Sequence, residues 1–304
     1  NPIPSTYSLA YTASGAYQGG VLAPNGDIHF VPLVAAVGQK ISAAGIASTY
    51  SLVYTSGFSY EGGVLAPNGD IHFVPQVATV GQKIAIDGTV STYSLVYTNT
   101  AINTYVGGVV ASNGDIHFVP LTAEVGQKIS STGSVSTYSL VYTAANAYCG
   151  GVLAPTGEIH FVPFAATVGQ KLSTAGVPST YSLAYTLNQS YNGGILAANG
   201  DIHFVPTNAR VGQKISAAGV VSTYSLAYTT SVAYRGAVLA PNGDIHFVPY
   251  SARVGQKISA TGVVSTYSLA YTVASAFAGG ILNTDGDIIL VPSAARVGQR
   301  IFTG

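Results

Sequence analysis

Apolar and polar residues alternate with a period of two in short runs along the whole chain, and nowhere does the 3.6-residue rhythm of an amphipathic helix appear. Residues 48–55, STYSLVYT, set Tyr50, Leu52 and Tyr54 on one side and Thr49, Ser51, Val53 and Thr55 on the other. Residues 19–32, GGVLAPNGDIHFVP, hold two β-rich runs around Asn25-Gly26. That dipeptide predicts a hairpin closed by a type I′ turn, which needs positive φ at both central residues. A further run, VGQKIS at 37–42, ends in a small-residue turn containing Gly45. The pattern therefore predicts four short strands and no helix in a unit of about 43 residues.

The unit repeats. STYSL begins at Ser5, Ser48, Ser91, Ser136, Ser179, Ser222 and Ser265, which makes seven copies spaced by 43 residues, once by 45. Four strands per copy and seven copies predict an all-β, seven-bladed β-propeller of four-stranded antiparallel blades, a single domain over residues 1–304. A β-helix needs a shorter period and a β-trefoil needs three copies. The strand with the glycine pair suits the crowded axis, where backbones approach closely, and STYSL suits the roomy rim. The chain starts on an outer strand and ends after three inner ones, so residues 5–12 are expected to pair with residues 297–302 and close the ring.

In GGVLAPNGDIHFVP…VGQKIS…G the unit resembles the NHL and streptogramin-lyase-like propeller repeats, which run small strand, Asn/Asp-Gly turn, aromatic strand and short basic strand. The resemblance spans the chain at the level of the repeat and implies the fold. In the lyase branch it implies an activity resting on a histidine and metal-binding carboxylates on loops of particular blades. No blade here carries such a set. Where those repeats often place an acid after the aromatic strand, this chain has Pro32, Pro75, Pro120, Pro163, Pro206, Pro249 and Pro292.

His29, His72, His117, His160, His203 and His246 occupy one strand position, which the seventh copy fills with Ile289. Strands lie about 4.8 Å apart, so the second strand is roughly 10 Å from the axis and equivalent histidines roughly 9 Å from each other, too far to share a zinc at about 2.1 Å. Alternation puts Asp27, His29 and Val31 on one face and Ile28 and Phe30 on the other. The histidines are expected to join a buried polar network with the Thr/Ser side of an outer strand and with Gln39 or Lys40, without metal, cofactor or catalytic role. An acid at the turn and a base on the third strand recur in every copy, from Asp27 and Lys40 to Asp287 and Arg300, and read as paired or solvated parts of the unit.

The copies differ on the other face of the disc. The residue before the glycine pair reads Gln18, Glu61, Val106, Cys149, Asn192, Arg235 and Ala278, and the residue before Val-Gly reads Ala36, Thr79, Glu124, Thr167, Arg210, Arg253 and Arg296. Acids fall in early copies and arginines in late ones. Beside them stand Tyr17, Tyr60, Tyr105, Tyr148, Tyr191, Tyr234 and Phe277, placed either to meet a ligand or to pack blades. These positions make the candidate binding face.

Composition narrows the classes. Eleven basic residues balance eleven acidic ones in a chain of 304, which leaves no electrostatic footprint for nucleic acid or an anionic membrane. No apolar run reaches the 18 or so residues of a bilayer-crossing helix. The chain begins without Met or a signal-peptide pattern, as a processed or trimmed form does. One cysteine, Cys149, excludes an internal disulfide framework. Near-identity of the copies is what recent duplication or design produces. The reading is a non-enzymatic scaffold, expected to be monomeric, that binds a protein or other ligand through the variable face. The alternatives are a multivalent lectin, against which the absence of Trp counts, and a lyase-like enzyme.

Overall fold

The alternating runs become strands because blades stack like wedges and both faces of each are covered by a neighbour. The computed structural model describes residues 2–100 and 103–303, and among these there is no helix. Strands β1 to β28, in chain order, form seven four-stranded antiparallel sheets. Blade 1 is β2 (Tyr17–Leu22), β3 (Ile28–Pro32), β4 (Val37–Ile41) and β5 (Ala47–Ser51), bonded in that order from axis to rim. Blades 2 to 6 repeat it over residues 60–94, 105–139, 148–181, 191–225 and 234–267. The molecule is a seven-bladed β-propeller.

The ring closes with strands from both ends of the chain. Blade 7 joins β26 (Phe277–Leu282), β27 (Ile288–Pro292) and β28 (Gly298–Phe302) to β1 (Ile3–Tyr7), with Ile3 opposite Phe302 and Tyr7 opposite Gly298. The outer strand is shorter than the run of alternation in residues 5–12. Blade 1 shows why: β5 stops at Ser51 because the next free amides, Val53 N–H and Tyr54 N–H, donate to Gln82 Oε1 of blade 2 at 3.0 and 2.8 Å. Gln82 is fully buried, so the glutamine of VGQK acts as a clasp between consecutive blades. Leu52 and Tyr54 then pack on blade 2 instead of extending the sheet.

The two glycines of the inner strand serve different needs. A β-bulge falls between Tyr17 and Gly20, and Gly19 within it has φ +85°. A Cβ on Gly19 would lie 3.0 Å from Gly62 Cα, and one on Gly62 2.9 Å from Gly107 Cα, so the first glycines form a tight ring around the axis. Gly20 faces side chains instead, where a Cβ would lie 2.5 Å from Ile281 Cδ1, and its equivalent in blade 6 is Ala237.

At the hairpin the turn differs from the type I′ expected. Only Gly26 has positive φ, Gly26 N–H donates to Ala23 O at 2.9 Å, and Asn25 Oδ1 accepts Asp27 N–H at 3.0 Å. That is a type I turn followed by a glycine bulge. Pro24 suits the first central position of type I, but the same turn forms where Ser112 and Ala198 stand in its place, with Gly114 N–H donating to Ala111 O at 2.9 Å and Gly200 N–H to Ala197 O at 3.0 Å.

The core lies between blades. Val21 and Val31 of blade 1 pack on Tyr60, Ile71 and Phe73 of blade 2, and Ile289 and Val291 of blade 7 pack on Ile28 and Phe30 of blade 1. The histidine face of each blade thus meets the phenylalanine face of the next.

Candidate functional site

The histidines sit inside this stack. His29 is 7% exposed, and its Nδ1 lies 3.3 Å from the Tyr50 hydroxyl. The same pairs, His72–Tyr93, His117–Tyr138, His203–Tyr224 and His246–Tyr267, span 3.1 to 3.3 Å. The partner is therefore the outer-strand tyrosine, not the Thr/Ser side, and Gln39 points to the opposite face, beside Phe30 and Thr49. Tyr50 reaches His29 by lying across Gly38, where a Cβ would be 2.2 Å from its ring. Burial, aided by Lys40 and opposed by Asp27, pushes His29 down to about 4, so the ring is neutral at pH 7. In blade 7 Ile289 takes the histidine's place, and the Tyr7 hydroxyl is buried without a partner.

Charges of the repeat are satisfied locally. Lys40 Nζ holds Asp27 Oδ2 at 2.6 Å, and Ala43 N–H donates to Asp27 Oδ1 at 3.2 Å. Burial raises the Asp27 pKa, but these donors outweigh it and leave the carboxyl below its ordinary range. Blade 7 is looser, with Arg300 Nη1 3.8 Å from Asp287. Two crevices open beside the variant units, about 500 Å³ between blades 7 and 1 and about 550 Å³ between blades 4 and 5. In the latter the main anion, Glu158, is already held by Lys171 at 2.8 Å. Among the described residues no three His, Cys, Asp or Glu side chains come together as metal ligands.

The variable positions divide into two groups. Tyr17, Tyr60, Tyr105, Tyr148, Tyr191, Tyr234 and Phe277 have no exposed surface. Tyr17 Oη donates to Val37 O at 2.9 Å, and its ring meets Tyr11 edge-on at 6.1 Å and Phe30 at 5.8 Å. They pack blades, because the bulge turns them into the stack, and offer no ligand platform. Glu124, Arg210, Arg253 and Arg296 do lie exposed on the loops between second and third strands.

The residues before the glycine pairs are not on loops. Gln18, Glu61, Val106, Cys149, Asn192, Arg235 and Ala278 point at the axis and line a cavity of about 130 Å³ above the glycine ring. Here the sevenfold repeat breaks: the glycines beside these positions touch their own equivalents, whereas the positions themselves carry seven different side chains. Gln18 Nε2 donates to Glu61 Oε1, and Gln76 Nε2 donates to Glu61 Oε2. Burial, opposed by Arg235 and Gln76, pushes Glu61 up to about 7. Burial and the nearby Glu61 also raise the Cys149 thiol, which stays protonated. Arg235 Cζ stacks 3.9 Å from the centre of the Tyr250 ring, and its Nε is buried without a partner.

Gln76 and Tyr250 escaped the sequence reading, although a signal was present. The residue after the repeated proline varies as the one before the glycines does, and in several blades the two match: Glu61 with Gln76, Val106 with Leu121, Cys149 with Phe164, Asn192 with Thr207. Gln18 with Leu33 and Ala278 with Ser293 do not match, but Val106, Leu121, Cys149 and Phe164 form one apolar cluster.

No protein-family profile and no curated protein matches the chain. Solved structures do match its fold. A streptogramin B lyase superposes with TM-score 0.86 at 18% identity over 99% of this chain and 98% of its own. A catalytically inactive histidine-to-alanine variant of virginiamycin B lyase from Staphylococcus aureus with quinupristin gives 0.86 at 15% identity over 100% of both chains. The WD40 propeller domain of Doa1 gives 0.74 at 15% identity over 99% of this chain and 98% of its own. The likeness shows the fold, a seven-bladed β-propeller, which enzymes and non-enzymes alike use.

Proposed function

We propose that this propeller is a non-enzymatic interaction module that receives an acidic protein partner on its variable loop face. The observation that carries the reading is a segregation of charge. Arg210, Arg253 and Arg296 stand exposed at one loop position on three consecutive blades, and Arg235 adds a fourth cation at the axial mouth. Only Glu61 and Glu124 oppose them on that side; the other nine acids belong to the turns of the opposite face, among seven bases. A chain of zero net charge thus carries a basic arc on one side, the arrangement that steers and orients an acidic partner.

The buried histidines support a non-enzymatic role. A reaction of the lyase kind calls for an accessible histidine, and each of the six is at most 7% exposed. The buried tyrosines weaken the lectin alternative, which needs aromatic faces open to sugars.

Panning a random peptide library on the immobilised protein tests the reading. Peptides rich in Asp and Glu are expected to be enriched, and the variant carrying Arg210→Glu, Arg253→Glu and Arg296→Glu is expected to lose them without a change in Tm. Enrichment without acidic bias, or equal retention by the variant, contradicts it. Binding on a glycan array at several sites per chain would favour the lectin.

A further inference from the structure

We infer that the axial mouth is a receptor for a single carboxylate on a short apolar stem. Three features of the cavity meet this chemistry. Arg235 brings a guanidinium whose Nε is buried without a hydrogen-bond partner, and it forms no ion pair within 4.0 Å among the described residues. A planar guanidinium fork matches carboxylate and phosphate geometry, and of the two the small volume favours the carboxylate. The volume, about 130 Å³, admits a carboxylate with one or two methylenes. The wall then divides by chemistry: Gln18 and Asn192 offer amide groups, whereas Val106, Cys149 and Ala278 make an apolar surface for the stem.

Glu61 decides how the site responds to pH. The titratable and charged groups around it from the other inner strands are Arg235 and Cys149, and the thiol is uncharged. The remaining contacts, Gln18 and Gln76, are neutral amides. A bound anion disfavours a second negative charge beside it, so occupancy favours protonated Glu61. Because burial already lifts this carboxyl to about 7, affinity is expected to fall as pH rises through neutrality. The stem and its carboxylate have two sources, an acidic side chain of a partner or a free short-chain acid; the first rests on the function proposed above, the second does not.

Isothermal titration of the full chain with acetate, propionate and N-acetyl-aspartate amide, at pH 6 and pH 8 and constant ionic strength, tests the inference. One site per chain is expected, with affinity at least ten-fold lower in Arg235→Gln. The other six blades hold Gln, Glu, Val, Cys, Asn or Ala at this position, so the fold accepts the change. Glu61→Gln is expected to keep binding and to lose its pH dependence. Binding by the free acids but not by the aspartyl amide keeps the site and assigns it a small acid, leaving the Arg210, Arg253 and Arg296 test to decide the protein partner. No saturable binding by any of the three, or equal binding by Arg235→Gln, overturns the inference.

Discussion

The two faces of the disc are built from the same repeat and put to opposite uses. On one, the blades repeat one turn and one acid–base pair, and blades 1 to 6 repeat a histidine–tyrosine contact that blade 7 replaces with Ile289 and an unpartnered Tyr7 hydroxyl. On the other, equivalent positions carry Gln, Glu, Val, Cys, Asn, Arg and Ala at the axis and Ala, Thr, Glu and Arg on the loops. Repetition therefore marks where a blade must match its neighbour, including the glycine ring at the axis, and variation marks where matching is not required. The proposed recognition uses the second set.

Several changes probe this division, in falling order of effect. The largest comes from acid. Each repeat histidine falls from an ordinary 6.5 to about 4 on folding, so the unfolded chain binds more protons between those values and stability drops as pH falls through that window. At about 1.4 kcal/mol per pKa unit, six buried rings together make this the largest of the effects. Thermal melts followed by circular dichroism should show this acid limb, and a Tm flat from pH 6.5 to 4 would break the comparison. Next is the glycine ring. Gly62→Ala puts a Cβ 2.9 Å from Gly107 Cα at φ +82° and is expected to cost about 3–5 kcal/mol in urea unfolding.

The blade-to-blade clasp comes third. Gln82→Ala strands the Val53 and Tyr54 amides and is expected to cost about 2 kcal/mol. Smaller still is the tyrosine hydroxyl. Tyr50→Phe removes the partner of His29 and is expected to cost about 1 kcal/mol, whereas Tyr7→Phe, facing Ile289, is expected to be neutral or slightly stabilising. Equal costs at the two positions would remove the histidine from the account.

Much of this was legible in the chain. Period-2 runs, a count of seven and the glycine pair lead directly to blades, their order and the closing strand, because each follows from local pattern. The turn type was not, since Asn25-Gly26 reads as the two central residues of a type I′ turn, whereas the pairing of Ala23 with Asp27 puts Asn25 at the second centre of a type I turn and Gly26 in the bulge after it. Nor was the length of the outer strand, which is set by Gln82 in the next blade. The site was half legible. Variation at Gln18 and Arg235 is plain in the sequence, but a bulge beside Gly19 turns these residues to the axis and buries Tyr17 and its equivalents, and no short-range signal announces that. The His29 partner depended on Tyr50 crossing a glycine on the strand between them, a contact made across three strands.

The most direct test of the division is a pH titration of the six imidazoles by two-dimensional nitrogen–proton NMR. All six are expected to stay neutral down to about pH 5, protonating only near 4 or with unfolding. A single imidazole that titrates near 6.5, or that shifts on addition of zinc, would contradict the claim that the repeated motif serves only to build the fold.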